Sequence, residues 1–428
     1  MRSASRPASQ ATLWRDRAFV RLFAANAISQ LGTQFSVLAL PLTALFVLKK
    51  GALEVSLIRT FAVLPFIVFS LPAGVWIDRM RRRPLMIAAD VGRALALASI
   101  PVAFWLGRLT LAQLYVVVAI HGTLSVIFDV SYLSFLPGLV RREQLGDANA
   151  KLLGSQAVAQ VAGPSLAGAL VGAVGAAVAV LADAASFSLS AVFVTLIRGR
   201  ETRPERVETR KRDQLVEGVR YVLSQPYLRL LTTWTSLWNF FTSAFFALSI
   251  VYYVRVLHWS PTEIGIVVAL GTSGLVVGSL VNQRLVARLG IGPMIAYSGI
   301  VFSATLIAVP LAPVAEAAPI IVVAAFIGST VGFFANVNQL TFRQAITPQR
   351  LLGRMNSVVR FMYWGSIPLG TAIGGVVAGP LGLRTTLLIC GVGATLSCIP
   401  IMVSPIRRAT VNADARAPGD GGLAAPAR

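Results

Sequence analysis

The sequence predicts an all-α membrane protein of about twelve transmembrane helices, arranged as two pseudo-symmetric six-helix halves with both termini in the cytoplasm. Three observations predict it: an apolar composition, twelve separate runs long enough to cross a bilayer, and a basic-residue bias that alternates from one connection to the next. Hydrophobic residues fill 56% of the 428 positions and charged residues only 13%, and the mean hydropathy is +0.73. A chain with so few charges cannot cover a water-soluble surface of this size, so lipid is the solvent for most of it.

The apolar runs lie near 19–48, 55–77, 84–106, 111–136, 152–174, 176–197, 228–254, 264–286, 294–313, 319–342, 355–379 and 383–403. At about 1.5 Å of rise per residue, each is long enough to cross a hydrocarbon core of roughly 30 Å. The glycines and prolines inside them are tolerated where neighbouring helices or wet cavities satisfy the backbone. The uncharged stretch 22–48 is far longer than the core of a cleavable signal and is expected to stay attached as span 1.

With the N-terminus placed in the cytoplasm, thirty of the 38 Lys and Arg fall on that side. Six fall opposite, Lys49, Lys50, Arg59, Arg108, Arg255 and Arg384, while Arg93 and Arg360 lie within spans. This bias fixes orientation, and it reads the net charge of +21 as topology, with no nucleic-acid partner. The expected organisation is a tail 1–17, a bundle 18–198, a cytoplasmic linker 199–227, a second bundle 228–405 and a disordered tail 406–428. The linker interleaves Arg203, Arg206 and Arg210 with Glu201, Glu205 and Glu208. Its later part, 213–223, suits either an amphipathic helix on the anionic inner leaflet or a solvated connection. Cys390 and Cys398 stand eight residues apart, about 12 Å along a helix, too far to bridge, and serve as apolar fillers.

An offset of 207 residues aligns Phe135 with Phe342, Leu145 with Leu352, Gly146 with Gly353, Asn149 with Asn356, Gly163 with Gly370, Gly168 with Gly375 and Gly172 with Gly379, without a gap. Spans 4 and 5 thus repeat as spans 10 and 11, and the two halves are expected to share one fold.

Between spans 2 and 3 stand Gly74, Asp78, Arg79 and Arg83, within Gly-Val-Trp-Ile-Asp-Arg-Met-Arg-Arg-Arg. This segment, the twelve spans and the central linker resemble the major facilitator superfamily and its cytoplasmic loop signature. Ala162, Gly163, Pro164, Ala167 and Gly168 in span 5 resemble that superfamily's antiporter motif. The run 145–150 and the cluster Asp183, Ala184, Ser186 and Phe187 resemble the bacterial branch of siderophore, macrolide and multidrug exporters. The resemblance covers residues 13–405. It departs at span 4, where His121 stands near the place of an arginine common in proton-coupled exporters. It departs again in the second loop signature, reduced to Gly278 and Asn282.

The resemblance implies a secondary transporter of the bacterial inner (plasma) membrane. It would export a small amphipathic molecule by alternating access, in exchange for protons. It implies no cofactor and no enzymatic activity, and a monomer is favoured. An importer or uniporter of the same fold, or a transport-dead receptor or scaffold, are the alternatives. His121 and His258 are too scattered for a metal site, and no nucleotide-binding loop occurs, since Gly-Lys and Gly-x-Gly-x-x-Gly are both missing from the sequence.

Gly74, Asp78, Arg79 and Arg83 sit where a helix meets the cytoplasm, and a carboxylate there can pair or cap in one conformation only, as a latch. Gly163 and Pro164, followed by Gly168 and Gly172, give a bent helix with a small-residue face for close packing or gating. Asp129 lies about eleven residues inside span 4, at a depth where a carboxylate faces a cavity, pairs or is protonated. Asn336 is its counterpart in span 10, and the resemblance implies that both spans line a central cavity. Asp183 lies on a span that packs outside that cavity, which favours a structural hydrogen bond. Asn26, Gln30 and Gln34 share one face of span 1, and span 7 adds Trp234, Thr235, Trp238, Asn239 and Thr242. Those polar stripes are either interhelical glue or a wet pathway. Asp90 and Arg93 can neutralise one another, and Arg360 is left to meet an anionic substrate or Asp129.

Overall fold

The computed structural model describes residues 10–77, 80–197 and 211–408. It is all-helical in these residues, with fifteen α-helices: α1 Arg17–Leu42, α2 Ala52–Ile77, α3 Arg82–Trp105, α4 Leu111–Leu139, α5 Leu145–Val174, α6 Ala176–Thr195, α7 Lys211–Ser224, α8 Pro226–Arg255, α9 Pro261–Thr272, α10 Gly274–Leu289, α11 Ile291–Leu311, α12 Ala317–Ala345, α13 Leu352–Leu381, α14 Leu383–Ser397 and α15 Ile399–Val403. Among the described residues twelve stretches are long and apolar enough to cross a membrane, as the sequence predicts. The eighth combines α9 and α10, and the twelfth α14 and α15.

Local chemistry sets the starts. Asp16 caps α1 through its carboxylate, accepting from Ala18 N at 2.8 Å and Phe19 N at 3.3 Å. Ser260 and Glu263 form a capping box ahead of α9, with Pro261 in its first turn. Span 5 begins seven residues before the apolar run suggests, because Asp147 and Lys151 pair one turn apart at 2.6 Å and carry the helix through polar sequence. The predicted 213–223 segment is helical as part of α7, which Arg354 of α13 fastens through Glu217 and Tyr221 through the Ile346 carbonyl at 3.3 Å.

Packing divides the chain into two units, Met1–Lys49 with Phe61–Val207, and Lys50–Thr60 with Glu208–Arg428. In the first, α1 packs on α5 and α6, and α3 on α4 and α6. In the second, α8 packs on α13 and α14, and α11 on α12 and α14. The second set is the first repeated. Boundaries repeat too: α5 and α13, and the short 3-10 turns Arg142–Gln144 and Gln349–Leu351 before them, begin and end 207 residues apart. Gly175 and Gly382, again at that offset, turn the chain into α6 and α14 at φ +84° and +77°, a region that residues bearing a Cβ rarely occupy. The repeat visible in two spans therefore extends through a third.

The repeat also places equivalent close approaches. A Cβ on Gly163 would overlap the Gln34 side chain of α1, and one on Gly370 the Phe240 carbonyl of α8. Both glycines bring the fifth helix of a unit against its first. Within the second unit the opening turns of α2 also lie on α13, where the Thr60 and Thr371 hydroxyls meet at 2.7 Å. Cys390 and Cys398 are free and buried.

Candidate functional site

The two units share a scaffold but not a core. In the second unit α8 brings Trp234, Thr235 and Trp238 to one cleft, α12 brings Gly332, Ala335, Asn336 and Gln339, and α13 brings Tyr363. Positions 332, 335, 336 and 339 recur at three and four, one face of a helix. The cleft holds about 390 Å³ of empty space, part of it open, and its lining includes no charged side chain. Trp238 Nε1 donates to Ser303 Oγ at 3.0 Å and Trp234 Nε1 to Cys398 Sγ at 3.4 Å. Trp238 also packs against Phe302, with ring centroids 4.9 Å apart. With both indole N–H groups held by α11 and α15's leading cysteine, the tryptophans offer the cleft ring surface. Gln339 Nε2 donates to Thr235 Oγ1, so the amide is oriented before any ligand arrives.

In the first unit the interior between α3 and α6 is charged. Asp90 and Arg93 form a buried ion pair, 0% and 5% exposed. Ser190 Oγ donates to Asp90 Oδ2 at 2.7 Å, and Arg93 Nη1 to Ser125 Oγ at 3.4 Å. The guanidinium lies over Phe187 at 4.1 Å and Phe128 at 4.5 Å, a desolvated cation on two ring faces. Asp183, fully buried, accepts from Ser186 Oγ at 3.2 Å through Oδ1. His121 packs edge-on against Phe187 at 5.5 Å.

Of the residues singled out by sequence, Trp234, Trp238 and Asn336 come together in the cleft. Asn239 does not line it: its amide donates to Tyr363 O at 2.7 Å and Ser366 Oγ at 3.2 Å, tying α8 to α13. Asn26 is likewise buried and reaches Ser155 of α5 at 3.5 Å, and Gln34 lies on Gly163. Gln30 is half-buried. The amides of Asn26 and Asn239 thus bind neighbouring helices, as the glue reading has it. Asp129 is half-buried and its charge reaches Arg93. Arg360 lies over Trp364 at 5.8 Å. Gly163 and Gly168 are buried in α5, around Pro164. Gly74 falls in α2, while Asp78 and Arg79 lie outside the described residues. Arg83 donates from Nε to Val194 O at 3.2 Å and also reaches Thr195 O, fastening the start of α3 to the end of α6. Sequence reasoning missed Gln339 and Tyr363 in the cleft. Gln339 follows Asn336 by three, a spacing that places both on one face. Among the described residues no cluster of potential ligands could hold a metal ion.

Twelve spans in two repeated units, one with a neutral aromatic cleft and one with a sealed charge cluster, define a polytopic membrane transporter. Residues 22–370 match the family model described as Major Facilitator Superfamily; the chain belongs to that superfamily, whose members are transporters and not enzymes. It is 26% identical over 356 residues to the multidrug efflux pump Tap of Mycolicibacterium fortuitum, covering 79% of this chain and 84% of that one. It is 25% identical over 413 residues to the uncharacterized MFS-type transporter YfiS of Bacillus subtilis (strain 168), covering 91% and 92%. Among solved structures it resembles a bacterial homologue of the iron transporter ferroportin, with a TM-score of 0.71 at 18% identity over 90% of this chain and 98% of that one. It also resembles the nucleoside transporter NupG, with a TM-score of 0.70 at 11% identity, over 90% and 98%.

Proposed function

We propose that this transporter exports bulky, weakly polar molecules across a bacterial inner membrane by alternating access, in exchange for protons. The cleft carries this reading. Ring surface from Trp234, Trp238 and Tyr363, with two amides at Asn336 and Gln339, holds varied apolar shapes with little directional demand. Sugars need dense paired donors and acceptors, and phosphates need several cations. The similarity to Tap, a named multidrug efflux pump, supports the outward direction. The thirty-to-six basic bias supports cytoplasmic termini and a cytoplasmic linker 199–227 between bundles 18–198 and 228–405. Proton exchange draws on the carboxyls of the first unit, since the cleft of the second supplies none.

Expression in a pump-deficient bacterium is expected to lower accumulation of at least one lipophilic dye or antibiotic. Trp238→Ala is expected to reorder preference among substrates at unchanged abundance, because it removes ring surface without touching a charge. Uptake of a hydrophilic nutrient in proportion to expression, with no efflux across a broad panel, would replace this reading with an importer. The loop signature gives a separate expectation. Asp78→Asn keeps side-chain volume and removes one charge, so it should leave membrane abundance intact and cut transport severalfold. Equal transport at equal abundance would remove Asp78 from the conformational cycle.

A further inference from the structure

Helix α1 turns a second face toward α6, on which Ser29, Gly32 and Ser36 recur at three and four and are all buried. Gly32 lets the helices close. A Cβ there would overlap the Ser186 hydroxyl and come within 2.9 Å of Asp183 Oδ1. One turn on, Ser36 faces Asp183. Ser36 Oγ is the group nearest the second carboxyl oxygen of Asp183, at a separation too long for a full hydrogen bond, and the two residues are only 4% and 0% exposed.

Charge balance identifies what would satisfy them. Asp90, Arg93 and Asp183 are sealed together, and Arg93 gives its ion pair to Asp90, which also takes the Ser190 hydroxyl. Asp183 is left as the surplus carboxyl. From α3 it meets Arg93 at longer range. From α4, Asp129 acts on the same guanidinium, and His121 reaches the cluster through Phe187 with its own Nε2 unpartnered. The two charged residues of α5, Asp147 and Lys151, pair with each other, and α1 adds no charge beyond Arg17 and Arg21 at its start. A dry bundle does not hold a surplus carboxylate without a cation or a proton.

The repeat shows independently that the fold does not demand this carboxyl. At the 207 offset Asp183 corresponds to Cys390 and Ser190 to Ser397, on helices that begin at the same relative position. The second unit packs that site with a neutral side chain, so the acid in the first serves something other than packing.

We propose that Asp183 is an exchangeable proton site whose occupancy governs how α1 seats on α6, and that Asp183, rather than Asp129, carries the coupling proton. The coupling half of this inference rests on the exchange reading above. With the proton bound, the carboxyl is neutral in the dry bundle and Asp183 Oδ2–H donates to Ser36 Oγ, tightening the contact of α1 with α6. When α1 separates at the Gly32 seam, water enters and takes the proton, and the carboxylate is then solvated rather than buried; closing the seam requires that a proton return.

The test uses the purified full chain in liposomes. Infrared difference spectra across a pH step are expected to show a buried carboxylic C=O band that persists in Asp129→Asn, is lost in Asp183→Cys and changes frequency in Ser36→Ala. Asp183→Cys borrows the side chain of the repeat, so it should insert at wild-type abundance; Ser36→Ala keeps the test open if it does not. Efflux driven by an imposed pH gradient is expected to be lost in Asp183→Cys while substrate exchange without a gradient is retained. A band unchanged in both variants overturns the site. Wild-type gradient-driven flux that persists in Asp183→Cys overturns its coupling role. A titrating Asp183 band in a wild-type protein without pH-driven flux leaves the site standing and defeats the antiport reading instead.

Discussion

Replacing Arg93 by Leu is expected to cost about 3–5 kcal/mol of stability, the usual scale for breaking a buried ion pair from one side. Asp90 is fully buried and Arg93 is its ion-pair partner. Its removal strands Asp90 and also takes away the guanidinium seated on Phe128 and Phe187. The double variant Asp90→Ser with Arg93→Leu should recover much of the loss, because replacing both members of a buried pair is often nearly neutral. Arg93→Lys is expected to fall between: it keeps the charge but not the planar fork that reaches Asp90 and Ser125 together. Thermal unfolding of the purified variants in detergent measures this. Equal loss in the single and double variants would show that ring packing, not charge compensation, holds the cluster.

Much of the fold was legible because membranes impose coarse rules. Span length and the 207 offset are both linear properties of the chain, and the packing pairs follow once two halves share a topology. The site was legible in part. Trp234, Trp238 and Asn336 could be grouped because the resemblance implies that the spans carrying them line one cavity, and the Asp90–Arg93 pair because three-residue spacing is local. Asn26 and Asn239 show where this fails. An amide on a polar stripe satisfies either a ligand or a neighbouring helix, and only the position of Ser155, Tyr363 and Ser366 decides between them. Asp183 stood out in the sequence as a buried carboxyl suited to a structural hydrogen bond, but its partner face on α1 did not, because Ser29, Gly32 and Ser36 are small residues that a search for amides and charges passes over.

The division of chemistry between the units is the other result that sequence alone did not display. One scaffold carries a charged interior at Asp183 and Ser190, and its repeat carries Cys390 and Ser397 in the same places. The aromatic cleft occurs in the second unit, and its lining carries no charged side chain. On the exchange reading proposed above, a cleft lining without a carboxyl would let apolar cargo bind without desolvating a charge while the other unit took up the proton, and a pseudo-symmetric pair of bundles would let each be tuned separately.

Gly370→Ala is expected to destabilise the second unit by about 1–3 kcal/mol, and Gly370→Leu by more, as overpacking at a closed seam does. The added Cβ meets the Phe240 carbonyl and the Ser243 hydroxyl of α8, and a backbone carbonyl cannot swing aside as the end of a side chain can. That seam also holds the Asn239 bonds to Tyr363 O and Ser366 Oγ, and Ser243 Oγ donates to Ile367 O at 3.3 Å. Forcing α8 from α13 therefore loosens three hydrogen bonds and moves Trp234 and Trp238 relative to Tyr363, so surviving protein should lose substrate affinity as well as thermal stability. Gly353, seventeen residues back on the same helix, is the control: a Cβ there meets nothing within 4 Å. Gly353→Ala should be neutral, or stabilise α13 by up to about 1 kcal/mol through helix propensity. Both glycines belong to the same repeated pattern in the sequence, so equal effects in thermal unfolding and substrate binding would mean that the α8–α13 seam does not hold the cleft together.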